Sequence, residues 1–293
     1  MQAKYLPSTG LSPRRWHPAP AIVCSALLHV ASIIAVLIVP SAWQWVLAIV
    51  IANHLVLISA TLFTRSQILG PNMVQLPIAA IRRNEVCLTF DDGPDPVVTP
   101  QVLDILDGYH ARASFFCIGE RAAVYPHLVK EIVRRGHSVE NHSHHHSGVF
   151  SFFGPSKLRR EVESTQATIC GLTGQSPAFF RAPAGFRNPF LDPVLARCGL
   201  HYVSWTRRGY DAVHRDSLVV SQRLIRGLAA GDVLLLHDGG AARTRSGRPV
   251  VLAVLPMLLQ ALAEHHLHAV TLRAACHDNA ISTFDLKHAT SVY

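Results

Sequence analysis

Hydrophobic positions along the chain fall into two regimes. Residues 21–39 form an apolar stretch broken only by Ser25, His29 and Ser32, and residues 43–63 form a second that contains Asn53 and His54. At about 1.5 Å of rise per residue, a helix of about 20 residues crosses a hydrocarbon core of about 30 Å. After residue 84 the pattern changes to short apolar runs alternating with amphipathic stretches. Strands are expected at 85–90, 113–118, 138–141, 178–181, 201–205, 232–237 and 269–271. Helices are expected at 99–109, with Thr99 as N-cap and Pro100 at the first position, and at 125–135, closed by Gly136. Two more follow at 157–170 and 250–265. Strands alternating with helices predict an α/β fold whose parallel sheet is covered on both faces. The organisation expected is a polar, Pro-rich and disordered tail at 1–18, a membrane hairpin at 19–64, a linker at 65–84 containing Gly70-Pro71-Asn72, a catalytic domain at 85–275 and a C-terminal tail at 276–293.

Composition strengthens the membrane reading. Hydrophobic residues make up 49% of the 293 positions, and the mean hydropathy of +0.24 is high for a soluble enzyme. Pro40-Ser41-Ala42 reads as a tight turn between two spans, with Trp43 and Trp45 suited to the interface. A cleaved signal peptide fits less well, because the leader is long and the turn is a poor cleavage site. Lys4, Arg14 and Arg15 precede the first span, Arg65, Arg82 and Arg83 follow the second, and the turn carries no charge. The positive-inside rule therefore puts both ends, and the catalytic domain, on the cytoplasmic side of an inner membrane. A single span would put the domain outside instead. The six cysteines are scattered without Cys-x-x-Cys spacing, which reads as buried free thiols. The net charge of +8 includes Arg243, Arg245 and Arg248, and suits a face toward anionic lipid or a phosphorylated substrate. Basic residues are not interleaved with aromatics on one module, which argues against a nucleic-acid partner.

The candidate chemistry lies in two runs. Thr89-Phe90-Asp91-Asp92-Gly93-Pro94 places two carboxylates side by side, and His142-Ser143-His144-His145-His146 places two imidazoles four residues apart. One carboxylate and two imidazoles suit a divalent metal with positions left open. The second carboxylate is then free to act as a base, which reads as metal-assisted hydrolysis. His144 and His145 read as loop or substrate-rim residues. The apolar run from Val149 to Pro155 has two readings, a loop packed on the domain or a contact with lipid tails.

Further residues turn this into a family resemblance. Arg181-Ala182-Pro183-Ala184-Gly185, Trp205 followed by Asp211, and Leu234-Leu235-Leu236-His237 follow the first two motifs in order. The chain resembles the polysaccharide deacetylases, carbohydrate esterase family 4, over about residues 85–275. The resemblance implies a distorted, incomplete (β/α) barrel that binds a divalent metal through Asp92, His142 and His146. Zinc suits these ligands, and cobalt, nickel or manganese would also fit. It further implies Asp91 as general base, Arg181 as its partner, His237 as general acid and Asp211 as the residue that orients His237. Pro183, Ala184, Gly185 and Trp205 fall at substrate-binding positions. The oxyanion would be met by the metal and a backbone N–H near the Asp pair or Ala184. Two departures remove bulk from the expected sugar cleft: Ala212 stands where the family usually has Trp, and Ala184 where it often has Tyr.

The function implied is removal of an N-acyl group, acetyl or formyl, from an amino sugar. The family includes chitooligosaccharide and peptidoglycan deacetylases and deformylases of undecaprenyl-linked aminoarabinose. A membrane hairpin favours a lipid-linked sugar over a finished polymer as partner. An O-acetyl esterase using the same site, or a catalytically silent membrane-tethered carbohydrate-binding protein, are the alternatives. The sequence leaves the oligomeric state open.

Overall fold

The computed structural model describes residues 14–277. The expectations for the two tails fall largely on residues 1–13 and 278–293, outside that range. Helices α1 (Pro20–Ile38) and α2 (Trp43–Leu62) are joined by a 3-10 turn at Pro40–Ala42 and pack against each other as a hairpin. Almost none of their residues are buried, so both present apolar side chains outward wherever they do not face each other. Their polar residues meet at one depth. Asn53 Nδ2 donates to Ser25 Oγ at 2.8 Å, and the rings of His29 and His54 meet edge to face with centroids 5.1 Å apart. In an apolar medium such groups satisfy one another, which pins the register of the two helices.

An α/β domain follows, entered through α3 (Ile78–Arg82). Its first half runs β1 (Glu85–Asp91), α4 (Val98–Gly108), β2 (Ala113–Cys117), α5 (Gly119–Val124), α6 (Pro126–Arg134) and β3 (Ser138–Asn141). The second half runs α7 (Pro155–Thr173), β4 (Phe179–Phe180), α8 (Leu191–Arg197), β5 (His201–Tyr202), β6 (Arg207–Arg208), α9 (Ser217–Ile225), β7 (Val233–His237), α10 (Val250–Glu264) and β8 (His268–Ala269). The strand order is β5-β4-β3-β2-β1-β7-β6, with β8 on the first residues of β1, and every pair is parallel. The two ends of this order do not pair with each other, so the barrel is incomplete, as the resemblance implied.

Strand periodicity explains what faces where. Val86, Leu88 and Phe90 of β1 point outward into a core shared with α4, α6, α9 and α10. Cys87, Thr89 and Asp91 alternate with them and point toward the barrel interior. β7 repeats this, with Leu234 and Leu236 outward and Val233 in the inner cluster, so that His237 lies inward beside Asp91 in the register. Residues 72–76, part of the expected linker, lie at the open seam, bonded to β5 on one side and to Gly231, just before β7, on the other. Met73 N donates to Tyr202 O, Ser204 N to Met73 O and Leu76 N to Gly231 O. Leu76 is buried among Phe116, Phe179, Val203 and Val233.

Several local expectations shift. Thr99 is not the N-cap of α4: the helix begins at Val98, and Asp95 Oδ1 accepts from Val97 N and Val98 N. Thr99 instead faces inward and donates from Oγ1 to Asp238 Oδ2 at 2.6 Å. The strands expected at 178–181 and 201–205 shrink to pairs of residues. The last strand lies at His268–Ala269, one residue earlier than expected. Helices α3, α5, α8 and α9 and strand β6 were not anticipated; all are nine residues or shorter, too brief for a periodic signal. The six cysteines are free thiols, as expected, but only Cys87, Cys117 and Cys276 are buried; Cys170 and Cys198 are half-buried and Cys24 is exposed on α1. The loop at 149–153 divides: Phe150 and Phe153 are buried while Val149 and Phe152 stand exposed.

If residues 72–76 hold the seam, Leu76→Ala should cost about 2–5 kcal/mol, as for any buried leucine. A lowered unfolding midpoint in detergent would report this, whereas a free linker would show no change.

Candidate active site

The site lies at the C-terminal ends of the strands, where backbones leave the sheet and side chains converge. β1 ends at Asp91, and the chain then turns through Asp92, which has a left-handed backbone (φ 69°). Ser143 (φ 62°), His146 (φ 49°) and Ala184 (φ 54°) share this strained conformation. Such strain can mark a functional site, although Asn84, His110 and His266 adopt the same backbone away from this one. Gly93 has a separate reason to be glycine: a Cβ there would lie 2.2 Å from Asp238 Oδ2.

Asp92, His142 and His146 come together as a candidate metal centre, with ligand atoms within 4.8 Å of one another. His142 Nε2 and His146 Nε2 lie 3.2 and 3.0 Å from Asp92 Oδ1. That oxygen is nonetheless buried without a properly aligned hydrogen bond. Three donors crowded on one point, with their lone pairs unused, fit a cation between them. The tautomer agrees. His142 Nδ1 lies 2.9 Å from the carbonyl oxygen of Arg181, which can only accept, so the proton sits on Nδ1 and Nε2 is left as a ligand. Burial opposes the charged form of the Asp92 carboxyl, but with both imidazoles protonated their hydrogen bonds and charge outweigh it and hold the group well below the usual carboxylate range.

Asp91 is held apart from this trio. Its Oδ1 accepts from Arg181 Nη1 at 2.6 Å, while Oδ2 lies 3.8 Å from His142 Nε2. Arg181 is fully buried, and its remaining donors reach Thr89 Oγ1, Val203 O and Ser204 O at 2.8, 3.3 and 2.8 Å. The guanidinium also lies 4.1 Å from the centre of the Phe116 ring.

Asp211 and His237 form a second pair. Asp211 Oδ1 lies 2.8 Å from His237 Nδ1, and Oδ2 accepts from His237 N at 2.8 Å. Two contacts to one residue fix the ring and leave Nε2 to the cleft. Burial alone would lower the pKa of His237, but the charge of Asp211 and its hydrogen bond prevail, and the imidazole is raised to about 9.

Of the residues expected at substrate positions, Ala184 is exposed, whereas Pro183, Gly185 and Trp205 are buried. They shape the cleft from beneath: a Cβ on Gly185 would lie 2.6 Å from the Trp205 ring. His144 and His145 are drawn away from the metal centre by Glu161, which accepts from both backbone N–H groups and lies 2.8 Å from His145 Nδ1. Sequence reasoning missed Asp238. It is buried next to His237, and burial, with the charges of Asp92 and Asp91, raises it to about 7 against the hydrogen bond from Thr99. Thr89 was missed as a partner of Arg181, although its place two residues before Asp91 on one strand puts both on the same face.

A model of the polysaccharide deacetylase family matches residues 80–203. A peptidoglycan-N-acetylglucosamine deacetylase of Bacillus cereus is 32% identical over 189 residues, 64% of this chain and 85% of that protein. A chitooligosaccharide deacetylase of Sinorhizobium fredii is 36% identical over 190 residues, 60% of this chain and 85% of that protein. Among solved structures, a family 4 carbohydrate esterase from Streptomyces lividans in complex with acetate superposes with a TM-score of 0.57 at 34% identity, over 63% of this chain and 91% of that one. A peptidoglycan N-acetylglucosamine deacetylase reaches a TM-score of 0.63 at 25% identity, over 70% of this chain and 92% of that one.

Because Asp211 raises His237, the imidazole should stay protonated through neutral pH and lose its proton only near pH 9. In Asp211→Asn its titration should fall toward the ordinary range near 6.5. NMR titration of the histidine ring signals checks both values, and an unmoved titration would break the assignment.

Proposed function

We propose a specific role for this chain, which belongs to the polysaccharide deacetylase family: it removes an N-acyl group, acetyl or formyl, from an amino sugar, using a divalent metal held by Asp92, His142 and His146. The observation that carries this reading is the division of labour between the two adjacent aspartates. Asp92 meets two imidazoles, while Asp91 is withheld from them by Arg181. A binding protein has no use for such a division. Zinc is the metal that best suits one carboxylate and two imidazoles. When bound, a divalent metal supplies Lewis acidity toward the acyl carbonyl and lowers the pKa of water at the site.

The chain's own residues supply the rest. Asp91 takes the proton from the attacking water through Oδ2, since Oδ1 is occupied by Arg181. Arg181 holds that carboxylate in place and aims its second oxygen. An amine leaves poorly unless protonated, and His237, cationic at neutral pH, donates through Nε2 as the C–N bond breaks. Asp211 stabilises the imidazolium and sets its orientation. Ala184 and Ala212 leave the acceptor side of the cleft open, which accommodates a bulkier aglycone than a simple sugar chain.

The named relatives are a peptidoglycan-N-acetylglucosamine deacetylase and a chitooligosaccharide deacetylase. For this chain we favour a membrane-associated or lipid-linked glycan, because α1 and α2 have the length and apolarity of a membrane anchor. On charge distribution both helix ends, and the domain with them, lie on the cytoplasmic side of the inner membrane.

Asp91→Asn should lower kcat by 1,000-fold or more with the metal content retained, whereas Asp92→Asn should lose the metal as well. Turnover assays paired with elemental analysis separate the two, and an active Asp91→Asn enzyme would overturn the assignment of the base. Chelation should abolish acyl release, and release from O-acyl but not N-acyl substrates would identify an esterase instead. For orientation, C-terminal fusions to one reporter active only in the cytoplasm and another active only outside should give signal from the first. Signal from the second would mean a single span and point to an exported glycan.

A further inference from the structure

The catalytic domain carries an apolar surface of its own, separate from the hairpin. The loop at 149–153 has an inner and an outer side. Phe150 and Phe153 are buried, the former stacked on Phe180 with ring centres 5.9 Å apart. Phe152, between them, is 85% exposed and Val149 is 56% exposed. Asn188 ties this loop to a neighbour, donating from Nδ2 to the carbonyls of Ser151 and Phe153, both at 2.9 Å. That neighbouring loop, at 186–190, turns Phe190 outward at 51% exposure. Neither aromatic ring contributes to the core, and both are held out on rigidly anchored backbones.

The same unit is joined to the roots of both hairpin helices. Arg187 donates to the carbonyls of Ser66, Gly70 and Pro71 at 2.6, 2.8 and 3.1 Å, directly after the end of α2. Asp192, two residues beyond Phe190, pairs with Arg14, six residues before α1. Ser204 Oγ donates to Thr64 O at 2.6 Å, and a Cβ on Gly185 would lie 2.8 Å from the Thr64 methyl group. The exposed aromatics, the helix roots and the third-motif turn of the cleft therefore share one face.

We propose that Phe152 and Phe190 insert into the interfacial layer of the leaflet from which α1 and α2 rise, so that the cleft opens onto the lipid surface. This rests on reading the hairpin as membrane-spanning. The occupant is the bilayer because the loops that carry the patch are hydrogen-bonded and ion-paired to the segments flanking two helices whose apolar side chains are largely exposed. Trp16, exposed just before α1, suits the same depth. Lys157, whose Nζ lies 3.7 Å over the Phe153 ring, and exposed Arg160 stand behind the loop and can meet phosphate headgroups. An acyl sugar reaching this cleft would be presented at headgroup height, which fits a sugar carried on a lipid.

The full chain is reconstituted into vesicles of phosphatidylethanolamine and phosphatidylglycerol with a photoreactive residue, Phe152→p-benzoylphenylalanine or Phe190→p-benzoylphenylalanine. Ile78→p-benzoylphenylalanine serves as reference, because Ile78 is exposed on α3, at the opposite end of the barrel. After irradiation, mass spectrometry should find lipid adducts at positions 152 and 190 at least tenfold above those at 78. Adducts no higher than at 78, or crosslinks to a second copy of the chain instead, would overturn the proposal. The readout does not involve turnover, so a failed deacylation assay and a failed adduct remain separate results.

Discussion

A fully buried guanidinium organises this molecule. An unpaired charge taken out of water is prohibitively costly, and Arg181 therefore requires a complete set of acceptors. It finds them on β1 (Thr89 and Asp91) and on the segment beyond β5 (Val203 and Ser204). Its own carbonyl accepts from His142. One residue thus aims the proposed base, fixes the tautomer of an imidazole in the candidate metal centre and bridges the barrel interior. The cost of leaving any of these contacts unmade keeps the geometry in place before a substrate arrives.

The remaining chemistry depends on the alternation of strand side chains. In β1 and β7 every second residue faces inward, so a hydrophobic run such as Leu234-Leu235-Leu236 ends with His237 beside Asp91 in the sheet register. The outward residues anchor the strands against the helices, and the inward ones at the strand ends carry function. Asp211 and Asp238 then bracket His237 from its two sides in sequence, one through direct contact and the other from beneath the turn at Gly93.

Much of this was legible in the chain. The long periodic helices, the buried strands of the first half and the pairing of Asp91 and Asp92 with His142 and His146 follow from patterns of types and spacing, whereas Arg181 and His237 are legible only through the family resemblance. Asp211, the weakest motif match since Ala212 replaces the usual Trp, is placed by contact with His237 rather than by its neighbours in sequence. Short elements such as β6 and α5 carry too few residues for a period to register. Thr99 illustrates another limit: its sequence context resembles a helix cap, but Asp95 takes that role from a position the helix pattern does not mark. The division of the 149–153 loop into buried and exposed phenylalanines was likewise invisible, because a run of apolar residues does not reveal which of them meets a partner.

The strand-like segment at 72–76 has a further consequence. It lies in the seam of the barrel while also continuing directly from α2. Hairpin and α/β domain are therefore not interchangeable cassettes joined by a tether. A recombination that exchanged the hairpin for another at residue 84 would remove a piece of the barrel wall. Variation in the two parts is coupled, and a lineage carrying this arrangement would be expected to inherit helices, seam and cleft together.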